Sequence, residues 1–502
     1  MATKKARRVH MFKDDLAWEK SDEEFEAWVD TIHTPETYRA IGNMILKYKP
    51  GEAELLHMGI KGGYNVLYRL EYKDGTSVAM RLPLKGGVKF PEEKVRYEVA
   101  TMRYISQNTT IPVPHVYHYG SAAENPTGLG PFIIMDYVEH DQTMSAAMND
   151  PDVGDSNGGY HELDPNIGKE KLEFCYRQMA DVLLQLSRLK FPRIGSLDYD
   201  DQGKISVVGR PLTQNMNFMV ELGSVLPELL PTKTYSNADD WYSALADMHL
   251  AQLTFQHNDA VEDEDDARDK YVARQLFRHL AAERRLTRQL GSEEDDPSDD
   301  CTIFCEDLRP SNVLVDKDLR IVGVIDWEFA YVAPAQFARD PPGWLLLKTP
   351  DDWPTAYAGW MEACRPRFEV FVRLLEEEEK KLAEKEQPNK EMADLSVLSE
   401  KKKKKKTLSQ HMRERWESKS WLLSFAARNS WAFDAIFWKY LDEQYFGPNE
   451  LGDYHARLGL LTPAEADEME PFVQRKMEES KVATIVKWEV QDAVAHLAKV
   501  LL

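Results

Sequence analysis

Apolar residues recur at two different periods along the chain, and the change of period marks where its architecture changes. Phe25, Trp28, Val29 and Ile32, then Tyr38, Ile41, Ile45 and Leu46, fall three and four apart, which predicts amphipathic helices leading into the main body. From about Glu54 the texture turns to short β-rich runs at 54–60, 65–72 and 77–82, separated by Lys61-Gly62-Gly63-Tyr64 and Lys73-Asp74-Gly75. An Asp-Gly pair between such runs is a strong hairpin signal, because both residues tolerate the positive φ of the tight turn. Helical spacing returns over 92–105 behind Pro91. Ile111-Pro112-Val113-Pro114 is an extended connection, and the apolar run 132–138 reads as a buried strand. Over 169–189, Leu172, Cys175, Met179, Val182, Leu183 and Leu186 form one helical stripe. A short strand is predicted at 205–208, and further helices at 240–257, 271–290 and 351–375.

Charge patterning refines the second half. The acidic stretch 262–266 is expected to be mobile, and 293–300, rich in Asp, Ser and Glu, to be a disordered loop. Glu376/Lys380 and Glu377/Lys381 are helix neighbours at i,i+4, worth about 0.2–0.5 kcal/mol each, and predict a helix end that projects into solvent. A polar linker follows, with six lysines at 401–406 that suit either a solvated connection or an anionic partner. Trp416, Trp421, Phe425, Trp431, Phe433 and Phe437 then predict a core helix pair within 413–445.

With 63 Lys and Arg against 85 Asp and Glu, the net charge of −22 argues against a nucleic-acid surface as the main business. The hydrophobic share of 43% supplies a sizeable core. Cys175, Cys301, Cys305 and Cys364 form no Cys-x-x-Cys pair, so free thiols are expected rather than disulfides. No run of 18 apolar residues exists, and no membrane association is expected. The basic start lacks the apolar stretch of a signal peptide, and Asp14, Asp15 and Glu19 interrupt any presequence pattern, so the expected location is cytoplasmic.

The chemistry concentrates in Thr302 to Glu328. Two β-branched runs, 312–315 and 320–325, flank the turn formers Asp316-Lys317-Asp318. The resulting hairpin presents Asp307, Asn312 and Asp326 at its ends. Phosphoryl transfer assisted by Mg²⁺ uses such a set: one carboxylate orients the attacking hydroxyl, while an amide oxygen and a second carboxylate hold the metal against the phosphates. Either half alone reads equally well as a surface hairpin; the two together carry the inference.

Asp307-Leu308-Arg309-Pro310-Ser311-Asn312 followed by Ile325-Asp326-Trp327-Glu328 resembles the catalytic and metal loops of the protein-kinase-like fold. The Ile-Asp-Trp-Glu form is similar to the aminoglycoside phosphotransferase and choline kinase branch, especially a fungal group within it. Cys305 departs from that pattern, standing where the family has a loop-supporting His. The resemblance implies an α+β, two-lobed fold: a small antiparallel-sheet lobe over a large, mainly helical lobe. It divides the chain into a helical extension (1–50), a nucleotide-binding lobe (51–140) and a helical lobe (141–502), with disordered insertions about 258–268, 292–300 and 386–408.

The same resemblance implies roles. Asp307 takes the substrate proton, Arg309 helps the transferred phosphoryl group, and Asn312 and Asp326 hold Mg²⁺, with Glu328 either orienting the loop or approaching the metal. Val78-Ala79-Met80-Arg81 resembles the phosphate-gripping strand, with Arg81 for Lys and Glu98 as its ion-pair partner. Gly62 and Gly63 cover the phosphates of ATP, or form a plain turn. Asp136, Tyr137 and Val138 form the adenine hinge. No Ala-Pro-Glu follows Asp326, which weighs against a protein substrate and points to a small hydroxylated molecule of undetermined identity. A nucleotide-binding protein with little catalysis, and a scaffold using the lysine run, are the alternatives.

Overall fold

The computed structural model describes residues 11–153, 161–288, 301–386 and 406–502. Helix α1 (Asp15–Ile32) begins where the Asp14 carboxylate accepts the Ala17 amide at 3.0 Å, and α2 (Pro35–Tyr48) where Thr34 caps ahead of Pro35. Strands β1 (Ala53–Leu56), β2 (Ile60–Lys61), β3 (Asn65–Tyr72), β4 (Ser77–Pro83), β5 (Val116–Gly120) and β6 (Phe132–Asp136) form one antiparallel sheet. Its order is β1-β3-β4-β6-β5, with β2 also on β3. Side chains alternate across a strand, and β4 shows the consequence. Val78, Met80 and Leu82 pack with Trp28, Ile41 and Ile45 of α1 and α2, while Ala79 joins the core that contains Val95 and Val99 of α3 (Pro91–Asn108). Arg81, two residues beyond Ala79, therefore faces α3. That places its charge inside the molecule.

The large lobe carries three small antiparallel sheets, two of which build the site. Strand β7 (Gln142–Thr143) precedes α4 (Met144–Met148) and α5 (Lys169–Ser187), and β8 (Ser196–Tyr199) pairs with β9 (Ile205–Gly209). Helices α6 (Gln214–Leu222), α7 (Ala238–Phe255) and α8 (Glu264–Ala282) follow. Strand β10 (Cys301–Phe304) pairs with β13 (Tyr331–Pro334), and β11 (Val313–Val315) lies between β12 (Ile321–Val324) and β7. The architecture is the expected α+β, two-lobed one.

Three expectations change. The acidic stretch 262–266 is no mobile insertion: Asp263 caps α8 by accepting the Asp266 amide at 2.8 Å, and Glu264, Asp265 and Asp266 fill its first turn. Carboxylates there complement the positive end of the helix dipole, so the helix starts at Glu264 rather than 271. Helix α10 (Ala356–Glu386), which follows the short α9 (Ala335–Ala338), exposes its last turns from Lys380, while Glu376, Glu377 and Glu378 are held against the body. Arg177 of α5 holds Glu377 and Glu378 at 2.6 Å each, and Arg413 of α11 (Leu408–Ser418) holds Glu376 at 2.9 Å. The aromatic stretch makes more than a helix pair. After α11 come α12 (Trp421–Arg428) and α13 (Phe433–Ile436), then a π-helical turn into α14 (Asp442–Phe446). The expected loops at 293–300 and 386–408 lie outside the described residues except at the ends of the second, where Thr407 already caps α11.

A strap joins the lobes ahead of α1. Met11 N–H donates to the Trp431 carbonyl at 2.6 Å, Gln256 Nε2 donates to the Phe12 carbonyl at 2.9 Å, and Asn258 Nδ2 donates to both Asp14 oxygens at 2.9 Å. Helix α1 then crosses to the small lobe, passing Gly86. A Cβ there would stand 2.5 Å from the Ser21 carbonyl oxygen, and its φ of +90° disfavours any L side chain. Gly86→Ala is expected to lift α1 and speed tryptic cleavage at Lys20 severalfold; an unchanged digestion rate would show that the contact relaxes without moving α1. The four cysteines are free and buried. No helix among the described residues is long and apolar enough to cross a membrane.

Candidate active site

Strand β10 delivers the chain to Cys305, and the loop that follows ends in a 3-10 turn (Pro310–Asn312) that feeds β11. In the β11–β12 pair Val313 faces Val324, and Ile325 N–H donates to the Asn312 carbonyl at 3.0 Å. Antiparallel register thus puts Asn312 and Asp326 at the same end of the hairpin. Asp326 sits at φ +60°, in the left-handed region that Asp tolerates better than most residues. Asn312 Nδ2 donates to Asp307 Oδ2 at 2.8 Å and to its carbonyl at 2.9 Å, which leaves the amide oxygen for a cation. Arg309 Nε donates to Asp307 Oδ1 at 2.7 Å.

The small lobe closes on this cluster from above. Arg81 pairs with Glu98 through one nitrogen and with Asp326 Oδ1 at 2.6 Å through another. The structure therefore brings together Asp307, Arg309, Asn312, Asp326, Arg81 and Glu98. Arg309 lies on Asp307 itself rather than standing apart from it. Gly62 spends its amide on the Asn65 carbonyl at 2.7 Å, in the turn between β2 and β3, and Gly63 beside it is exposed. At 136–138 much of the backbone is already used. Asp136 N–H donates to the His115 carbonyl at 2.9 Å, Tyr137 N–H to Ser77 at 3.3 Å, and the Val138 carbonyl lies 2.8 Å from His140 Nδ1. Val138 packs on β12, where a Cβ on Gly323 would meet it at 3.0 Å.

Two residues of the cluster went unassigned in the sequence. Lys94 is wholly buried, pairs with Glu328, and donates to Asn65 Oδ1 at 2.8 Å; Asn65 Nδ2 in turn donates to Glu328 at 2.8 Å. Lys94 stands one helical turn before Glu98, so i,i+4 spacing on α3 put the two on one face and was a usable signal. Asn65 gave none. Cys305 is buried with Sγ 3.8 Å from the Asp326 carbonyl, so a neutral thiol occupies the position of the expected His. Burial, and next the Asp307 charge, push that thiol well above its usual range.

Crowded carboxylates set the electrostatics. Burial raises the Asp307 pKa to about 6, with Asp326 and Glu328 adding and Arg309 opposing. Asp326 is also raised, by burial and then by Glu328. Burial would raise Glu328 as well, but Lys94 and then Arg81 outweigh it and hold Glu328 ionised. Activity carried by ionised Asp307 should rise with pH up to about 6 and level off above, read as kcat/KM of the free enzyme. Stability moves the other way. The folded acid binds its proton more tightly than the unfolded one, so the contribution of Asp307 is complete below the unfolded pKa of 3.8 and lost as pH rises through about 6. A kcat/KM profile flat from pH 5 to pH 7 would contradict the assignment.

Beside Asp307 and Arg309 opens a cavity of about 670 Å³, walled by Met11, Phe12 and Lys13 of the strap, Phe218 of α6, and Trp431. The family described as "Phosphotransferase enzyme family" matches residues 58–337. "Altered inheritance of mitochondria protein 9, mitochondrial" of Debaryomyces hansenii is 28% identical over 147 residues, which is 29% of this chain and 22% of that protein. The protein of the same name in Clavispora lusitaniae is 23% identical over 307 residues, 56% of this chain and 48% of that protein. The chain thus spans less than half the length of either relative. A crystal structure of a macrolide 2'-phosphotransferase from Brachybacterium faecium aligns with 12% identity and a TM-score of 0.35, covering 83% of this chain and 100% of that one. The relatives' names overturn the cytoplasmic expectation. Its basis fails physically too: Asp14 and Asp15 are the cap and first turn of α1, so their charge belongs to the folded body and says nothing about a leader.

Proposed function

Since the chain belongs to the phosphotransferase enzyme family, whose match covers more than half of it, we propose that it transfers the γ-phosphate of ATP, with Mg²⁺, to a hydroxyl of a small molecule. The observation that supports this most is the position of Asp307, hydrogen-bonded to Asn312 on one side and opening onto the 670 Å³ cavity on the other. A base there reaches both a metal-nucleotide and an acceptor.

The donor set fits those groups. Asp326 and Asn312 offer hard oxygen atoms, and Mg²⁺ typically takes one or two carboxylates with the remainder from phosphate and water. Arg81 Nε is a buried donor without a partner among the described residues, suited to a phosphate oxygen. When bound, magnesium-ATP supplies the electrophilic phosphoryl group. The protein does the rest. Asp307 accepts the acceptor's hydroxyl proton, on an oxygen whose second lone pair is already held by Asn312 or Arg309. Lys94 and Asn65 fix Glu328, which keeps the Asp326 loop in place.

A second reading draws on the Arg81–Asp326 pair, which competes with a metal for the same carboxylate. It describes a nucleotide-binding protein of low turnover. Screening uncharged and charged hydroxylated metabolites for ATP loss that depends on Asp307 separates the two: nucleotide binding with no such loss across the panel favours the second reading. The lysine run of the scaffold alternative lies, apart from Lys406, outside the described residues. The relatives' names support a mitochondrial location, which fractionation of cells expressing the tagged full-length protein tests.

A further inference from the structure

The proposed acceptor cavity has one corner whose chemistry is that of a cation site, and the cation in it is the chain's own. The strap is pinned on both sides of Lys13, at Met11 and Phe12 before it and at Asp14 after it, through backbone groups and the Asp14 carboxylate. Lys13 Nζ is delivered 3.9 Å from the centre of the Phe218 ring, 5.7 Å from Trp18 and 6.0 Å from Trp431. Phe218 and Trp431 meet at 90° with centroids 6.3 Å apart, so they form two walls of an angle rather than one flat surface. Ring faces attract a cation through their negative quadrupole. Burial lowers the Lys13 pKa, and the charges of Glu221, Asp351 and Asp352 oppose that by attracting the ammonium. Aromatic rings with carboxylates in electrostatic reach suit an ammonium ligand. Here the corner is already full.

We propose that Lys13 is a specificity-determining residue of the acceptor pocket: its ammonium fills the ring-lined corner that a cationic acceptor would use, so the pocket admits uncharged hydroxylated compounds and turns amines away. The inference rests on the cavity being the acceptor side of the site. A second cation entering beside Lys13 meets like charge at contact range in a partly desolvated space, where screening is weak. The other positive groups at the cavity are engaged elsewhere, Arg309 with Asp307 at 2.7 Å and Arg428 with Glu306 at 2.7 Å and over Phe304 at 4.5 Å, so Lys13 is the cation that occupies the Phe218–Trp431 corner.

Tetramethylammonium is the probe, read by tryptophan fluorescence of the full chain, since Trp18 and Trp431 border the corner. Lys13→Ala empties the corner without touching the strap's anchoring hydrogen bonds; Lys13→Ser serves as a second truncation. Both are expected to show saturable quenching by tetramethylammonium, at least about tenfold tighter than wild type, with Lys13→Arg remaining like wild type. tert-Butanol, of similar shape and no charge, should bind wild type and truncations alike. Saturable binding of tetramethylammonium to wild type as tight as to the truncations overturns the proposal, and so do folded truncations that gain no binding. The readout needs no phosphoryl transfer, so it stands apart from any failure of the proposed activity. Loss of Asp307-dependent turnover with the binding pattern intact would count against the function and leave the corner as assigned.

Discussion

Asp307→Asn is expected to lower turnover by roughly 10²–10⁴-fold, while nucleotide binding, followed as thermal stabilisation by ATP and Mg²⁺, stays near wild type. The substitution preserves shape and removes the proton acceptor. One carboxylate now receives both Arg309 Nε at 2.7 Å and Asn312 Nδ2 at 2.8 Å. An amide has one oxygen for the two donors, so one of those hydrogen bonds is lost and a small part of the effect is positional. Positioning and charge neutralisation by Arg81, Asn312 and Asp326 remain, which is why some rate survives. Turnover equal to wild type would remove Asp307 from the mechanism.

The largest stability effect is expected at Lys94. Its side chain is wholly buried against Glu328, itself 3% exposed. Lys94→Met deletes the main charge that keeps this carboxylate ionised, leaving Asn65 and the more distant Arg81 as its support. Breaking a buried pair from one side costs about 3–5 kcal/mol. The double variant Lys94→Met/Glu328→Leu should recover much of the loss, because an apolar pair of similar volume carries no stranded charge. Urea unfolding of the single and double variants reads both. A single-variant loss below about 1 kcal/mol would mean that Glu328 finds another partner or takes up a proton at no cost.

What the sequence made legible follows from how far each signal reaches along the chain. The catalytic hairpin was readable because Asp307, Asn312 and Asp326 are joined by a short turn, so their register is set locally. Arg81 was readable through the resemblance of Val78-Ala79-Met80-Arg81 to the family's phosphate-gripping strand, and strand alternation, which turns it to the side of Ala79 and α3, explains why the structure agrees. Lys94 and Glu98 share a face of α3, but nothing in the spacing says that the pair is buried rather than solvated; only the approach of Glu328 from the other lobe decides that. The glutamates of α10 make the same point in reverse. Their neighbours at i,i+4 were visible, whereas Arg177 and Arg413 reach them across about two hundred and about forty residues. The acidic stretch 262–266 is ambiguous in sequence because Asp and Glu suit both a mobile loop and a helix's first turn, and capping by Asp263 selects the second. The cavity corner was out of reach altogether: Lys13, Phe218 and Trp431 meet only through the folded strap.

The central claim is that a carboxylate at 307 and a metal-holding pair at 312 and 326 form one working site at a cavity. Magnesium-dependent ATP consumption, measured with the acceptor panel for wild type, Asp307→Asn and Asp326→Asn side by side, tests it most directly. The account predicts acceptor-stimulated consumption by wild type that collapses in both variants. Consumption undiminished in either variant would contradict it.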